Sequence, residues 1–300
     1  MTKKNKLLGN ILLLIAAIIW GTAFAFQRVG MDSIEPATFA ASRMTLSAVV
    51  VGIVSLFFKT PNELTEKEKR EYNKNTVIGG IYCGVFLAFA SIAQQMGLVY
   101  TSAGKAGFIT ALYMLFVPII NFVFFRKRNT LIVWGAVLLG VFGMYLLCMT
   151  ESFSLAYGDT LVLICAVLFS GHILCCDHFV NLGNPIKISA IQFVTTAVIS
   201  WIAAFLTEEP SLDKIISAAI PIIYCGIVSG GVGYTLQIVA QKHTEPATAS
   251  LLMSLESVFA VVAGAIILNE LMSGREFMGC IVMFAAIVMV QIPVKNTKKQ

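Results

Sequence analysis

The sequence predicts an all-α integral membrane protein of ten transmembrane helices, arranged as two five-helix repeats of opposite orientation. Three observations predict it. The chain is 58% hydrophobic and only 12% charged, with a mean hydropathy of +0.85, too apolar for a polar exterior in water. Ten long apolar stretches can be read along it. Its second half also repeats features of the first at a nearly constant spacing.

A helix of about 20 apolar residues crosses a hydrocarbon core of about 30 Å. Taken in order, such stretches run near Leu7–Phe26, Ala37–Phe58, Val77–Gly97, Ala106–Phe125 and Leu131–Cys148 in the first half. In the second they run near Tyr157–Phe179, Ile186–Leu206, Ser217–Ala240, Ala247–Leu268 and Phe277–Ile292. The runs are continuously apolar, without the alternation of a lumen-facing strand, which excludes a barrel. The first run follows Lys3, Lys4 and Lys6 and has the look of a signal peptide. No small-x-small cleavage site precedes the next span, so it is read as a retained helix. The longest loop, Lys59–Thr76, mixes acidic and basic residues and reads as a short solvated turn or helix. The seven cysteines fall within or at the ends of spans, where they act as small hydrophobes, and imply no disulfide framework.

Threading the spans from a cytoplasmic N-terminus puts sixteen Lys and Arg residues inside, with Arg28, Lys105, Lys214 and Arg275 outside and Arg43 within the second span. This asymmetry satisfies the positive-inside rule and sets both termini in the cytoplasm. The net charge of +5 then belongs to loops facing an anionic leaflet and is not a nucleic-acid footprint.

The internal repeat divides the chain into residues 1–149 and 150–300. Pro36 to Arg43 opens the second span as Pro185 to Gln192 opens the seventh, each with Pro where its missing N–H is harmless. Arg43 therefore corresponds to Gln192. The segment Gln94 to Leu112 overlays Gln237 to Leu255 at one offset of 143. An odd number of spans per unit makes the second enter the membrane from the opposite face. Inverted repeats offer two nearly equivalent packings, open to either side, with a ligand site between them near the midplane.

Several stretches carry a family likeness: Trp20-Gly-Thr-Ala-Phe24, Pro36 to Arg43, and Gly97 to Gly107 in the first half. In the second they are Thr244 to Glu256, Asn269-Glu270 and Gly279. In this order they resemble the EamA-type family of the drug/metabolite transporter superfamily. The sequence departs from that pattern at Ser257, where many relatives carry Pro, and at Arg126-Lys127-Arg128, where a Gly-Glu-Arg-like turn is common. The resemblance implies a ten-helix exporter of amino acids, related metabolites or drugs in the cytoplasmic membrane.

Candidate site residues follow from the cost of polar groups in lipid. Glu256 sits about 14 Å into its span by helical rise, where a carboxylate exposed to lipid costs about 2.5 kcal/mol or more. Two readings fit it: a substrate or proton site, or a protonated group that hydrogen-bonds between helices. Arg43 lies about 9 Å inside the second span. It either snorkels to the interface or faces inward, suited to hold a carboxylate bidentately. Gln94, Gln192 and Gln237 are buried amides that demand partners, and two of them occupy equivalent repeat positions; they compete with plain hydrogen bonding between helices. Trp20, Phe24, Tyr82 and Tyr113, with Tyr234, are candidate pocket walls, competing with plain packing. His172 joins the set. With Cys175 and Cys176 at i+3 and i+4, and Asp177 and His178 beside them, it has a soft-metal spacing, although adjacent cysteines commonly serve as packing. Lys105 either attracts anions at the outer mouth or marks the interface.

No cofactor and no metal are assigned; the expected partners are a small-molecule substrate and membrane lipid, and no residue pattern sets an oligomeric state. An intramembrane enzyme would need paired membrane aspartates or His-Glu-x-x-His, and neither occurs. A receptor or scaffold would need an extramembrane domain, for which the loops are too short. Within the same fold, efflux of cationic drugs is the alternative to metabolite export.

Overall fold

In the computed structural model of the chain, residues 3–59, 61, 64–126, 129–148, 156–267 and 273–291 are described, and among them every regular element is helical. The first half contains α1 (Lys3–Gly30), α2 (Pro36–Ser55), α3 (Glu66–Tyr100), α4 (Ala103–Ala111), α5 (Tyr113–Phe125) and α6 (Leu131–Cys148). The second contains α7 (Tyr157–Phe179), α8 (Pro185–Thr207), the short α9 (Leu212–Ser217) and α10 (Ala219–Ile223), a π-helical stretch Tyr224–Tyr234, α11 (Thr235–Gln241), α12 (Pro246–Met253), α13 (Glu256–Ile267) and α14 (Gly274–Gln291). The motif residues Asn269 and Glu270, and Lys127 and Arg128, lie outside the described residues.

Eight helical runs are long and apolar enough to cross a membrane. Three of these are jointed: α4 with α5, α10 through α11, and α12 with α13. The fifth and tenth expected spans contain shorter apolar helices, Leu131–Gly143 and Phe277–Met289. Large apolar side chains such as Leu131, Phe57 and Leu206 are exposed at 75% or more, an outer surface suited to lipid.

Local chemistry sets the helix ends. Pro36 and Pro185 occupy first helical positions, and the Asn184 side chain accepts from the Ile186 and Lys187 amides at 3.1 Å. The Lys59–Thr76 segment, expected as a solvated turn or helix, is helix from Glu66 onward. A capping box starts it: Glu68 N–H donates to Thr65 Oγ1 while Thr65 N–H donates to Glu68 Oε2 at 2.8 Å. The α12–α13 joint has its own cause. The hydroxyls of Ser250, Ser254 and Ser257 each donate to the carbonyl three residues back, at 3.0, 2.7 and 2.8 Å, back-bonding of the kind that bends helices.

Packing brings the two halves together along most of their length. Helix α3 lies against α7 and α8, α2 against α8, α1 against α13, and α6 against α14. These crossings need glycine. A Cβ at Gly84 would fall 2.7 Å from the Gln192 carbonyl, and one at Gly21 would fall 2.7 Å from the Glu256 carbonyl, both against backbone that cannot yield.

Gly21→Val and Gly84→Val should therefore each destabilise the protein by about 1–3 kcal/mol, the usual range for overpacking. Thermal unfolding in detergent measures this, with Gly52→Val as control, because a Cβ at Gly52 meets nothing within 4 Å. Equal melting of all three variants would disprove the close crossings.

Candidate functional site

The halves line a partly open cavity with about 440 Å³ of space between its walls, formed by α1, α2, α3, α4, α5, α7, the π-helical stretch and α11 to α13. Its chemistry is set by groups that lipid-embedded helices normally avoid.

Arg43, on α2, is 2% exposed, and its Nε and Nη2 have no hydrogen-bond partner. Its guanidinium carbon lies 5.8 Å from the centre of the Phe39 ring one turn earlier, a cation–π distance. Snorkelling is thereby excluded, because the side chain points into the bundle. Glu256 opens α13 directly after the serine-bent joint, is 4% exposed, and leaves Oε1 without a partner. The Tyr113 hydroxyl lies beside this carboxyl but outside hydrogen-bond geometry. Among the described residues neither Arg43 nor Glu256 has an ion-pair partner, although both line the same cavity.

Aromatic rings form one wall. Tyr234 packs at 4.8 Å on Trp20, 6.4 Å on Phe169 and 5.8 Å on His172, measured between ring centres. Trp20 is fixed in place because its indole N–H donates to the Ser229 carbonyl at 3.1 Å. That carbonyl belongs to the π-helical stretch. The wide turn, rich in glycine at 226, 230, 231 and 233, has the form often found where a helix is shaped for a site.

The amides divide by role. Gln94 donates to Thr110 Oγ1 at 3.1 Å, and Gln237 donates to Gln241 Oε1 at 3.2 Å while keeping its own Oε1 unpartnered on the cavity. Gln192 does not reach the cavity: its Oε1 accepts from His172 Nε2–H at 3.0 Å, so the imidazole stands between it and the space. Tyr82 is a second correction. It is 55% exposed on the outer surface, stacked at 6.2 Å on Phe179, because its position on α3 is turned away from the bundle.

Trp20, Phe24, Arg43, Gln94, Tyr113, His172, Gln237 and Glu256 thus come together. Sequence reasoning did not single out Gln27, Thr110, Phe169, Ile173, Ser229 or Met253, which also line the cavity. A signal for two of them was present: Phe169 and Ile173 follow Trp20 and Phe24 by 149 residues, the same interval as Pro36 to Pro185. The soft-donor set is only partly assembled. Cys176 Sγ is 3.5 Å from His172 Nε2 and 3.6 Å from Cys83 Sγ, but no group of three His, Cys, Asp or Glu side chains is placed to hold a metal among the described residues. Lys105 is bound to Asp159 at 2.6 Å near the start of α7, away from the cavity wall.

Comparison with known proteins agrees with this architecture. The EamA-like transporter family model matches the chain twice, over residues 7–149 and 156–292. An uncharacterized transporter of Archaeoglobus fulgidus is 27% identical over 97% of this chain and 88% of its own length. The uncharacterized transporter YcxC of Bacillus subtilis is 22% identical over the whole of this chain and 98% of its own, and YoaV of the same organism is 23% identical over 91% and 92%. A solved crystal structure superposes with a TM-score of 0.75 over 97% of both chains at 17% identity, a likeness of fold. With both of its halves matched by the family model, the chain belongs to the EamA-like transporter family, and it is a multi-pass membrane protein.

Proposed function

We propose that this protein is a secondary transporter that exports amino acids or related small metabolites across the cytoplasmic membrane. It would work by alternating access between two inverted five-helix repeats, residues 1–149 and 150–300. The observation that carries this reading is the pair Arg43 and Glu256. Each is buried, each keeps at least one unpartnered polar atom, and each faces the same cavity from a different half.

A charged group in a membrane helix costs on the order of 2.5–3.5 kcal/mol, and leaving its hydrogen bonds unmade adds to that cost. A ligand bearing a carboxylate for Arg43 and an ammonium for Glu256 would offset both at once. The guanidinium fork suits a carboxylate, and the rings around Tyr234 suit the apolar remainder of such a molecule.

The two-repeat mechanism has support from paired positions. The helix joints fall at Leu112 in the first half and next to Leu255 in the second, 143 residues apart. Cavity residues pair by the same intervals: Gln94 with Gln237 and Tyr113 with Glu256 at 143, Trp20 with Phe169 and Phe24 with Ile173 at 149. A site lined by equivalent positions of both repeats lies on the axis relating them, where it can be exposed to either side in turn. Orientation follows the cation asymmetry, with both termini cytoplasmic. Glu256, as the protonatable member, is assigned the proton-coupling role.

Efflux of cationic drugs is the second reading, favoured by Glu256 beside Trp20 and Tyr234; Arg43 in the same space weighs against it. Purified protein in vesicles, challenged with labelled amino acids, nucleosides and cationic drugs, separates the two. Flux of amino acids is expected, and absence of flux for every solute would overturn the transporter reading.

Two variants test the roles. Arg43→Lys keeps the charge but loses the fork, and should lower carboxylate flux by about tenfold, near 1.4 kcal/mol, with thermal stability in detergent little changed. Glu256→Gln should abolish stimulation by an imposed proton gradient. Retention of that stimulation would reduce Glu256 to a packing role.

A further inference from the structure

We propose that Asp159, Glu208 and Glu35 form a gate that clamps the two halves at the end of the bundle where α2 begins, and that the Asn10–Thr244 contact marks its weaker counterpart at the opposite end. This rests on the two-repeat reading above.

Three carboxylates tie the halves at the first end. Asp159, near the start of α7 and with a side chain 1% exposed, accepts from Lys105 Nζ at 2.6 Å, from Thr101 Oγ1 at 3.0 Å and from the Ala156 amide at 2.9 Å. Thr101, between α3 and α4, and Lys105, in the first turn of α4, belong to the other half. Glu208, just past α8, caps α2 across the same boundary. It accepts from the Ala37 and Thr38 amides at 2.8 Å and from the Thr38 hydroxyl at 2.7 Å, a carboxylate on a helix N-terminus with favourable dipole and charge-assisted bonds. Glu35, before α2, pairs with Lys214 of α9, and that ammonium holds the Glu35 carboxyl below its ordinary range.

At the opposite end, the two contacts between the halves seen among the described residues join neutral groups. The Asn184 amide donates to Thr76 Oγ1 at 2.9 Å, and Thr244 Oγ1 donates to Asn10 Oδ1 at 3.4 Å. The second contact is the repeat counterpart of the first latch. Thr244 follows Thr101 by 143 residues, and Asp159 follows Asn10 by 149. Lys105, the third residue of α4, corresponds to Thr248, the third residue of α12. One latch position therefore holds an acid and a base, and its equivalent holds an amide and a hydroxyl. Charge-assisted bonds are about twice as strong as neutral ones, so this arrangement favours the conformation closed at the α2 end. Opening that end requires the charged ties to break.

The test reads cavity access directly and needs no substrate. Ser229→Cys, on the cavity wall, is placed in a chain whose seven native cysteines are changed to serine. It is labelled with a membrane-impermeant maleimide in sealed right-side-out and inverted vesicles. The parent should label mainly from the face opposite the α2 end. Asp159→Asn and Glu208→Gln should each raise labelling from the α2 face by about tenfold, the population change expected for loss of one charge-assisted bond. The paired change Asn10→Asp with Thr248→Lys builds the charged latch at the other end and should reduce labelling there. Lys105→Gln breaks the same ion pair from its more exposed member and serves if Asp159→Asn fails to fold. Unchanged labelling, or an equal rise from both faces, would overturn the gate. Failure of the solute panel would overturn the transport reading and leave the labelling result standing.

Discussion

A bilayer core offers no hydrogen bonds, and nearly everything in this fold answers to that. The backbone is helical because only helices close their own ladder within a segment. Several hydroxyls in the spans turn back on their own helix: Thr45 to the Ala41 carbonyl, Ser170 to Ala166, Thr196 to Gln192. Amides find each other, as Gln237 finds Gln241. Partnerless atoms also occur singly, at Ser42, Ser91, Gln95, Gln192 and Ser200, but those of Gln27, Arg43, Tyr113, Gln237 and Glu256 gather around one space. Scattered orphans would mark strain; orphans facing one another mark a place where something else supplies the bonds.

How far the sequence reveals this follows from what hydropathy measures. Apolar length detects a crossing, so the long helices are legible from composition. It is blind to breaks within a crossing, because Leu112 is apolar and a single Ser254 between Met253 and Leu255 leaves the run apolar on average. The Ser250, Ser254 and Ser257 back-bonds and the glycine-rich π-helical stretch emerge only once the backbone is seen. The helix beginning at Glu66 had a readable start in Thr65 and Glu68, but its first turns are polar and a search for apolar runs passes over them.

Within the site, depth was legible and rotation was not. Tyr82 and Cys83 are adjacent in sequence, yet one is 55% exposed and the other fully buried, because successive helical residues point 100° apart. Gln192 illustrates a different limit. It stands at the repeat equivalent of Arg43, but the shorter side chain meets His172 before it can reach the cavity. Register predicts a position, whereas side-chain length and neighbours decide what arrives there. Phe169 and Ile173 show the gain available from register alone, since shifting Trp20 and Phe24 by the interval that relates the two prolines lands on them.

The division of charge between the halves has an energetic logic. Had Arg43 and Glu256 closed an ion pair across the cavity, each would have satisfied the other, and a ligand would have had to break that bond before making its own. Held apart, they remain open to a ligand, and the low dielectric of the bundle strengthens any charge–charge contact made there. The cost is borne by the folded state, and the dense apolar packing around them, from Phe39 and Met44 to Leu252 and Val258, keeps the helices from collapsing to relieve it. On the proposed reading, a ligand bearing both a carboxylate and an ammonium would relieve that cost by supplying the missing bonds.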